Sequence, residues 1–314
     1  MSVGSSIDVS KVKQFGSNIY HLSQQKESRL RPYVRFETLN AEAGFYDRLG
    51  ETEMYEKVGR HSDTKFADIE WSRRRVTMRD WAWAHPIDKE DKLRLIHNPE
   101  SEVAKAARYA AGRKMDTIII ENALGNAYAG KDGSTSVSLP NTQKVGATDG
   151  SAFTKLSLET LRIIREKFWA NEALASRDDM IHLVCRGTDI MNLLRDTNVT
   201  SSDYNTVKAL VNGDIKSYMG FMFHKIEFMP ELASSISFDP VDGSVGAGGG
   251  TLAIGSSRNL AFTTDGLLMA MGQDIVSRVD ERPDKNYLNQ VYLKFTMGGV
   301  RMEEKKVVEV ICKA

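Results

Sequence analysis

The residues of this chain whose types and spacing come nearest to chemistry are Gly125, Gly130 and Lys131, set as Gly-x-x-x-x-Gly-Lys. In that pattern a glycine-rich turn cradles phosphates and the lysine reaches their outer oxygens. The next residue is Asp132, where magnesium would need a Ser or Thr hydroxyl, and its carboxylate would face the phosphates. The stretch also follows a helical pattern, whereas a phosphate loop follows a strand and opens a helix. A helix-ending glycine followed by a turn explains the same residues. Gly246, Gly248, Gly249 and Gly250 lack the strand–helix unit of a dinucleotide loop, and 242–257 is expected to be a flexible, surface or pore-lining loop. The six histidines (His21, His61, His85, His97, His182 and His224) are scattered. None forms an HExxH or Cys/His cluster, so neither a metal nor a cofactor is expected. No acid–base pair stands out and Gly-x-Ser-x-Gly is absent. The expectation is a protein that is not an enzyme.

With little chemistry to position, the elements themselves carry the reading. At 98–125 the sequence is NPESEVAKAARYAAGRKMDTIIIENALG. Asn98 is a good cap, Pro99 suits the first turn, and Glu100 and Glu102 suit the positive end of the dipole. Val103, Ala107, Ala110, Ala111, Met115, Ile118 and Ile119 form one apolar stripe. The opposite face carries Glu102, Lys105, Arg108, Lys114 and Asp116. Such a rod would be roughly 40 Å long, which fits a building block better than a compact enzyme.

Composition bounds the rest. The chain has 314 residues, 41% of them hydrophobic, with 42 basic and 42 acidic side chains. A dedicated nucleic-acid binder would carry a basic excess. Cys185 and Cys312 lie in strand-like apolar runs and are expected as buried free thiols of a reducing cytoplasm. No signal peptide or membrane-length apolar run is present.

Residues 1–45 are polar, with Ser and Gln clusters, an arm expected to become ordered against neighbouring molecules. Within 46–86, Arg75, Thr77, Arg79, Trp81 and Trp83 share one face if extended, and Val76, Met78, Ala82 and Ala84 the other. The first half of this stretch is expected to be the partner strand. Such a ribbon lacks a core of its own and needs something to lie on. The triplet Arg73-Arg74-Arg75, with Arg79, Trp81 and Trp83, has the look of a nucleic-acid patch. Asp63, Asp68, Glu70 and Asp80 in the same stretch favour salt bridging to another subunit, with tryptophan anchors. Beyond it come an irregular stretch at 128–151, helices at 155–172, 188–196 and 202–210, and strands at 181–186 and 221–228. A strand-dominated C-terminus has turns at Pro283-Asp284 and Gly298-Gly299. The class is α+β.

The order of these parts resembles the major capsid proteins of tailed phages, with the fold named after phage Hong Kong 97. HPIDKEDKLRLIHNPESEVAKAARYAAGRKMDTIIIENALGNAYAGKDG is similar to the segment running through the long spine helix of one capsid family. TSSDYNTVKALVNGDIKSYMGFMF is similar to its axial-domain stretch, and RPDKNYLNQVYLKFTMGGVRMEEKKVVEVIC to its C-terminal strands. The resemblance covers 40–313. It implies an N-terminal arm at 1–45, an extended loop at 46–86, a peripheral domain at 87–150 with the spine at 98–125, an axial domain at 151–265, and a return to the peripheral domain at 266–314.

The function implied is geometric: hexamers and pentamers closing an icosahedral shell around double-stranded DNA, without sequence-specific contacts to it. Expansion of a precursor shell would follow. The implied partners are other copies, a portal protein, a separate scaffolding protein (the ribbon starts within about fifty residues of Met1, which leaves no room for a built-in scaffold) and, optionally, a decoration protein. No membrane is involved; the place is the virion, after assembly in the bacterial cytoplasm. Arg73, Arg74, Arg75, Arg79, Trp81 and Trp83 are the expected intersubunit contacts, with Glu51, Glu53 and Glu56 as ionic partners. An encapsulin-like nanocompartment shell is the alternative, and a cytosolic nucleotide-binding enzyme using 125–131 is the third.

Overall fold

The computed structural model describes residues 22–57, 59–61, 63–88, 99–174, 179–195, 217–246 and 250–313. The Asn98 cap, the helix read at 202–210 and the first part of the arm lie outside them.

Helix α1 (Pro99–Leu124) is the rod read from the sequence. Its stripe Ala107, Ala111, Met115, Ile118 and Ile119 is buried, and Ile120 and Ala123 widen it. The polar face is correspondingly narrower than the pattern implied, because Asp116 is also buried. Its carboxylate accepts from Gln25 Nε2 (2.5 Å), Ser28 Oγ (2.5 Å) and the backbone N–H groups of Arg29 (3.0 Å) and Leu30 (3.1 Å). Gly112 lets the arm come this close, since a Cβ there would stand 2.9 Å from the Glu27 carbonyl carbon. The expectation that the arm is ordered only by neighbours is therefore corrected for 25–30, whose polar groups satisfy a buried acid on the chain's own helix.

A four-stranded sheet lies along α1 in the order β1 (Arg35–Thr38), β14 (Leu267–Arg282), β15 (Leu288–Arg301), β4 (Arg79–Ile87). Leu293, Phe295 and Met297 of β15 join Met115, Ile118 and Ile119 of α1 in one core. The hairpin between β14 and β15 turns at Pro283–Lys285, with Asn286 and Tyr287 left-handed. The second expected turn is absent: Gly298 and Gly299 lie inside β15. A Cβ at 298 would stand 2.3 Å from the Thr77 carbonyl oxygen, and one at 299 would stand 2.2 Å from the Met269 sulfur. The pair is glycine for close packing, not for turning.

A six-stranded sheet runs β7 (Lys144–Gly146), β16 (Val307–Cys312), β13 (Ser257–Phe262), β8 (Ile181–Cys185), β10 (Phe221–Lys225), β9 (Ser217–Tyr218). It shares a core with α2 (Leu158–Ala170), through Leu158, Leu161, Ile164 and Phe168, and with α3 (Gly187–Arg195), through Ile190 and Leu193. Ser157 caps α2, accepting from the Thr160 N–H at 3.1 Å. Both cysteines are free and buried in this sheet, where burial pushes their thiols well above the usual range. Strand β16 pairs with β7 on one side and with β13 on the other, which brings 144–146 and 307–312 into the sheet that also holds β8 and β10.

A third sheet, β2 (Ala43–Leu49), β3 (Trp71–Thr77), β5 (Ala127–Ala129), β6 (Thr135–Val137), packs Val76 and Ala127 against Leu268, Ala270 and Val300. Within 242–257, expected as a loop, strand β12 (Gly250–Leu252) pairs with β11 (Ile236–Phe238), burying Phe238 and Leu252. No helix among the described residues is long and apolar enough to cross a membrane.

Candidate assembly interface

The stretch read as one ribbon is two structures joined at Met78, whose N–H is held by the Glu42 carbonyl at 2.9 Å. The partner of β3 is β2, in register from Ala43↔Thr77 to Leu49↔Trp71, and not the segment after residue 50. Strand β4 lies on β15, and Trp81 and Trp83 are half-buried against the α1 core while Ala82 and Ala84 face outward. This second half of the ribbon thus lies on its own subunit. Lys114 of α1 sits over the Trp81 ring at 4.1 Å, and Trp83 stacks on His85 at 5.9 Å.

What remains without support is the loop between β2 and β3. Residues 51–57 and 63–70 carry neither helix nor strand, and every one of them is exposed. Met54 is 100% exposed and Phe66 88%. The loop closes at its base, where the Gly50 N–H donates to the Glu70 carbonyl at 2.7 Å.

The predicted contact residues separate by burial. Glu51 accepts from Lys305 Nζ at 2.7 Å, which holds its carboxyl below the usual range, and Glu53 and Glu56 stand exposed on the loop. Arg73 donates to Asp47 at 2.5 Å and lies over Phe45. Arg74 faces inward at 2% exposure. It donates to Glu304 at 2.5 Å, and Glu304 also meets Arg48 and Arg301, each at 3.5 Å. Fully buried Arg301 was missed by sequence reasoning. Its guanidinium donates to the carbonyls of Ala123 and Gly125 at 2.8 Å and of Val137 at 3.1 Å. It thereby satisfies the C-terminal end of α1, whose last turn has no basic residue. Arg75 and Arg79 instead line a groove, with no carboxylate partner among the described residues.

Gly125 closes α1, its N–H donating to the Glu121 carbonyl at 2.8 Å. The following residues form β5, a turn with positive φ at Gly130 and Gly133, and β6. Lys131 lies exposed in that turn. The loop follows a helix and precedes a strand, so no helix N-terminus is turned towards Lys131. Among the described residues no group of three or more His, Cys, Asp and Glu could hold a metal.

Two histidines form a buried pair. His182 Nδ1 and His224 Nε2 are 3.1 Å apart, the Tyr33 ring lies on both, and His182 Nε2 is 3.4 Å from Thr264 Oγ1. Burial lowers each to about 4 from 6.5, and Arg29 presses His224 further down. The unfolded chain therefore takes up protons first. Their contribution to stability is complete above about pH 6.5 and is lost as pH falls through about 4. Asp189, raised by burial, acts in the opposite direction. Chemical unfolding midpoints at pH 7, 6 and 5 are expected to fall in that order, and more steeply than in a His182→Gln/His224→Gln chain. Equal slopes would contradict the burial argument.

A family model described as phage capsid protein matches residues 7–314. No curated protein matches the sequence. Among solved structures, the chain is similar to the capsid of cyanophage P-SCSP1u, with TM-score 0.69, 13% identity, and 99% of this chain and 96% of that one covered. It is similar to the capsid of Ralstonia phage GP4, with TM-score 0.71, 10% identity, and 100% and 98% covered. It is also similar to a structure of Mycobacterium phage Bobi, with TM-score 0.64, 14% identity, and both chains covered completely. At these identities the structural likeness establishes the mixed helix-and-strand fold.

Proposed function

This chain belongs to the phage capsid protein family, and from that premise we propose that it is the major capsid protein of a tailed phage. Copies join as hexamers and pentamers into an icosahedral shell that encloses double-stranded DNA, in the virion, after assembly in the host cytoplasm. Its fold is of the Hong Kong 97 type. In that reading 1–45 is the arm and 46–86 the extended loop. The peripheral domain is 87–150 with 266–314, its spine at 98–125, and the axial domain is 151–265. The role is structural rather than enzymatic. A separate scaffolding protein, a portal and, in some assemblies, a decoration protein complete the set of partners.

The observation that carries the reading, beside the family match, is the loop between β2 and β3. Its exposed Met54, Tyr55 and Phe66 offer apolar surface that a neighbouring subunit would cover. Residues 25–30 of the arm and the second half of the ribbon make contacts within the subunit, which leaves this loop as a surface for neighbours. Negative-stain electron microscopy tests the proposal, on the purified protein alone and co-expressed with a scaffolding protein. Closed angular shells or hexamer sheets are expected. A uniform monomer or dimer under every condition would overturn it.

A further inference from the structure

We propose that Tyr33, His182 and His224 form an acid-sensitive latch between the arm and the six-stranded sheet, and that protonation of both histidines releases the arm turn Arg31–Tyr33 while the cores stay folded. Three parts of the chain meet at the latch. His182 lies on β8 and His224 on the neighbouring β10, and the Tyr33 ring rests against them at 4.8 and 4.5 Å. Phe262 of β13 also packs on His182, at 5.4 Å.

The geometry admits one proton between the two imidazoles. His182 Nδ1 and His224 Nε2 are 3.1 Å apart, so one nitrogen donates and the other accepts. A doubly protonated pair would set two N–H groups against each other and place two like charges in an apolar space. Neither ring is hydrogen-bonded to a carboxylate among the described residues. The charged groups nearby give no relief. Arg29 of the arm adds a third positive charge beside His224, and its guanidinium donates to the Lys225 carbonyl on β10. Asp179 and Asp265 line the cavity beside His182, yet burial governs its protonation. Asp116 of α1 is engaged by the arm itself.

Of the parts that meet here, the arm turn is the one that can yield. The backbone N–H groups of Arg31 and Tyr33 are held locally, by Ser28 Oγ at 3.2 Å and the Leu30 carbonyl at 2.9 Å. Strands β8 and β10 pair with each other over five residues, and Ile181, Leu183, Cys185 and Phe221 tie them into the core shared with α2. Leu30 and Val34, buried on either side of the turn, keep it shut at neutral pH. Each ring takes up a proton near 4 when clasped and near 6.5 when released. Lowering the pH from 7 to 5 should therefore raise the opening equilibrium roughly twentyfold per ring and roughly several-hundredfold for the pair.

Hydrogen exchange of the full-length chain at pH 7, 6 and 5, corrected for the intrinsic exchange rate, tests the latch. Protection of the Arg31 and Tyr33 amides is expected to fall about a hundredfold or more between pH 7 and 5, while amides of α2 and β16 lose far less. His182→Gln/His224→Gln keeps every carboxylate and should flatten the fall at 31–33. His224→Gln alone should halve it on a logarithmic scale. In the parent chain, equal losses in α2 and β16 would show that the pair acts on the whole fold, and unchanged protection at 31–33 would show that acid does not open the turn. Either result overturns the latch without any variant. The same fall in the double variant would assign the effect to carboxylates such as Asp116 and overturn it as well. None of these outcomes bears on the shell reading.

Discussion

Replacing Glu304 with glutamine is expected to lower stability by about 3–5 kcal/mol, the usual cost of removing one partner from a buried ion pair. Three guanidiniums converge on this carboxylate, from Arg48, Arg74 and Arg301. Arg74 and Arg301 are 2% and 0% exposed. Burial pushes both below the usual guanidinium range, and Glu304 pulls them back up. Glutamine keeps the shape and one acceptor but removes the formal negative charge on which all three converge. Arg301 also fastens the end of α1 to β6, so the damage would spread to the hairpin wall of the groove. Thermal unfolding should fall by roughly 5–15 °C. Asp284→Asn, which breaks an exposed pair with Arg282 at the tip of the β14–β15 hairpin, should barely move it. A Glu304→Gln chain as stable as the parent would mean that water, not this carboxylate, neutralises the cluster.

That cluster marks where sequence reasoning stops. The rod 98–125 was legible because its cap residues, stripe and closing glycine are local signals, and α1 spans Pro99–Leu124. The strand-dominated C-terminus was legible from its residue types, although the register shifts around Gln273 that break the alternation of β14 were not. Arg73, Arg74 and Arg75 look alike in a sequence. Alternation in β3 sends the middle one inward, where it meets a glutamate 230 residues away. Asp116 was assigned to a solvent face because its partners are an arm that no helical periodicity connects to α1. In each case the missing term was a contact between distant segments that buries a charge, the kind of information that spacing along one element does not hold.

Removing residues 51–69, so that Gly50 joins Glu70, is expected to abolish shell formation while leaving a folded subunit. The register gives the reason. Leu49 and Trp71 already pair across β2 and β3, and the Gly50 N–H already bonds the Glu70 carbonyl, so Gly50-Glu70 would become a two-residue hairpin turn with glycine at its first position. Every described residue of 51–69 is exposed, so no buried side chain among the described residues is lost. The Glu51–Lys305 pair disappears, but it is an exposed one. A longer deletion, over 50–84, would strip β3 and most of β4, with fully buried Val76 and the tryptophans that pack on the α1 core. The two deletions therefore separate folding from assembly. The short one should keep the parent's circular dichroism spectrum and melting temperature and sediment only as small species; the long one should not fold. Shells from the short deletion would show that the contacts holding subunits together lie elsewhere on the surface.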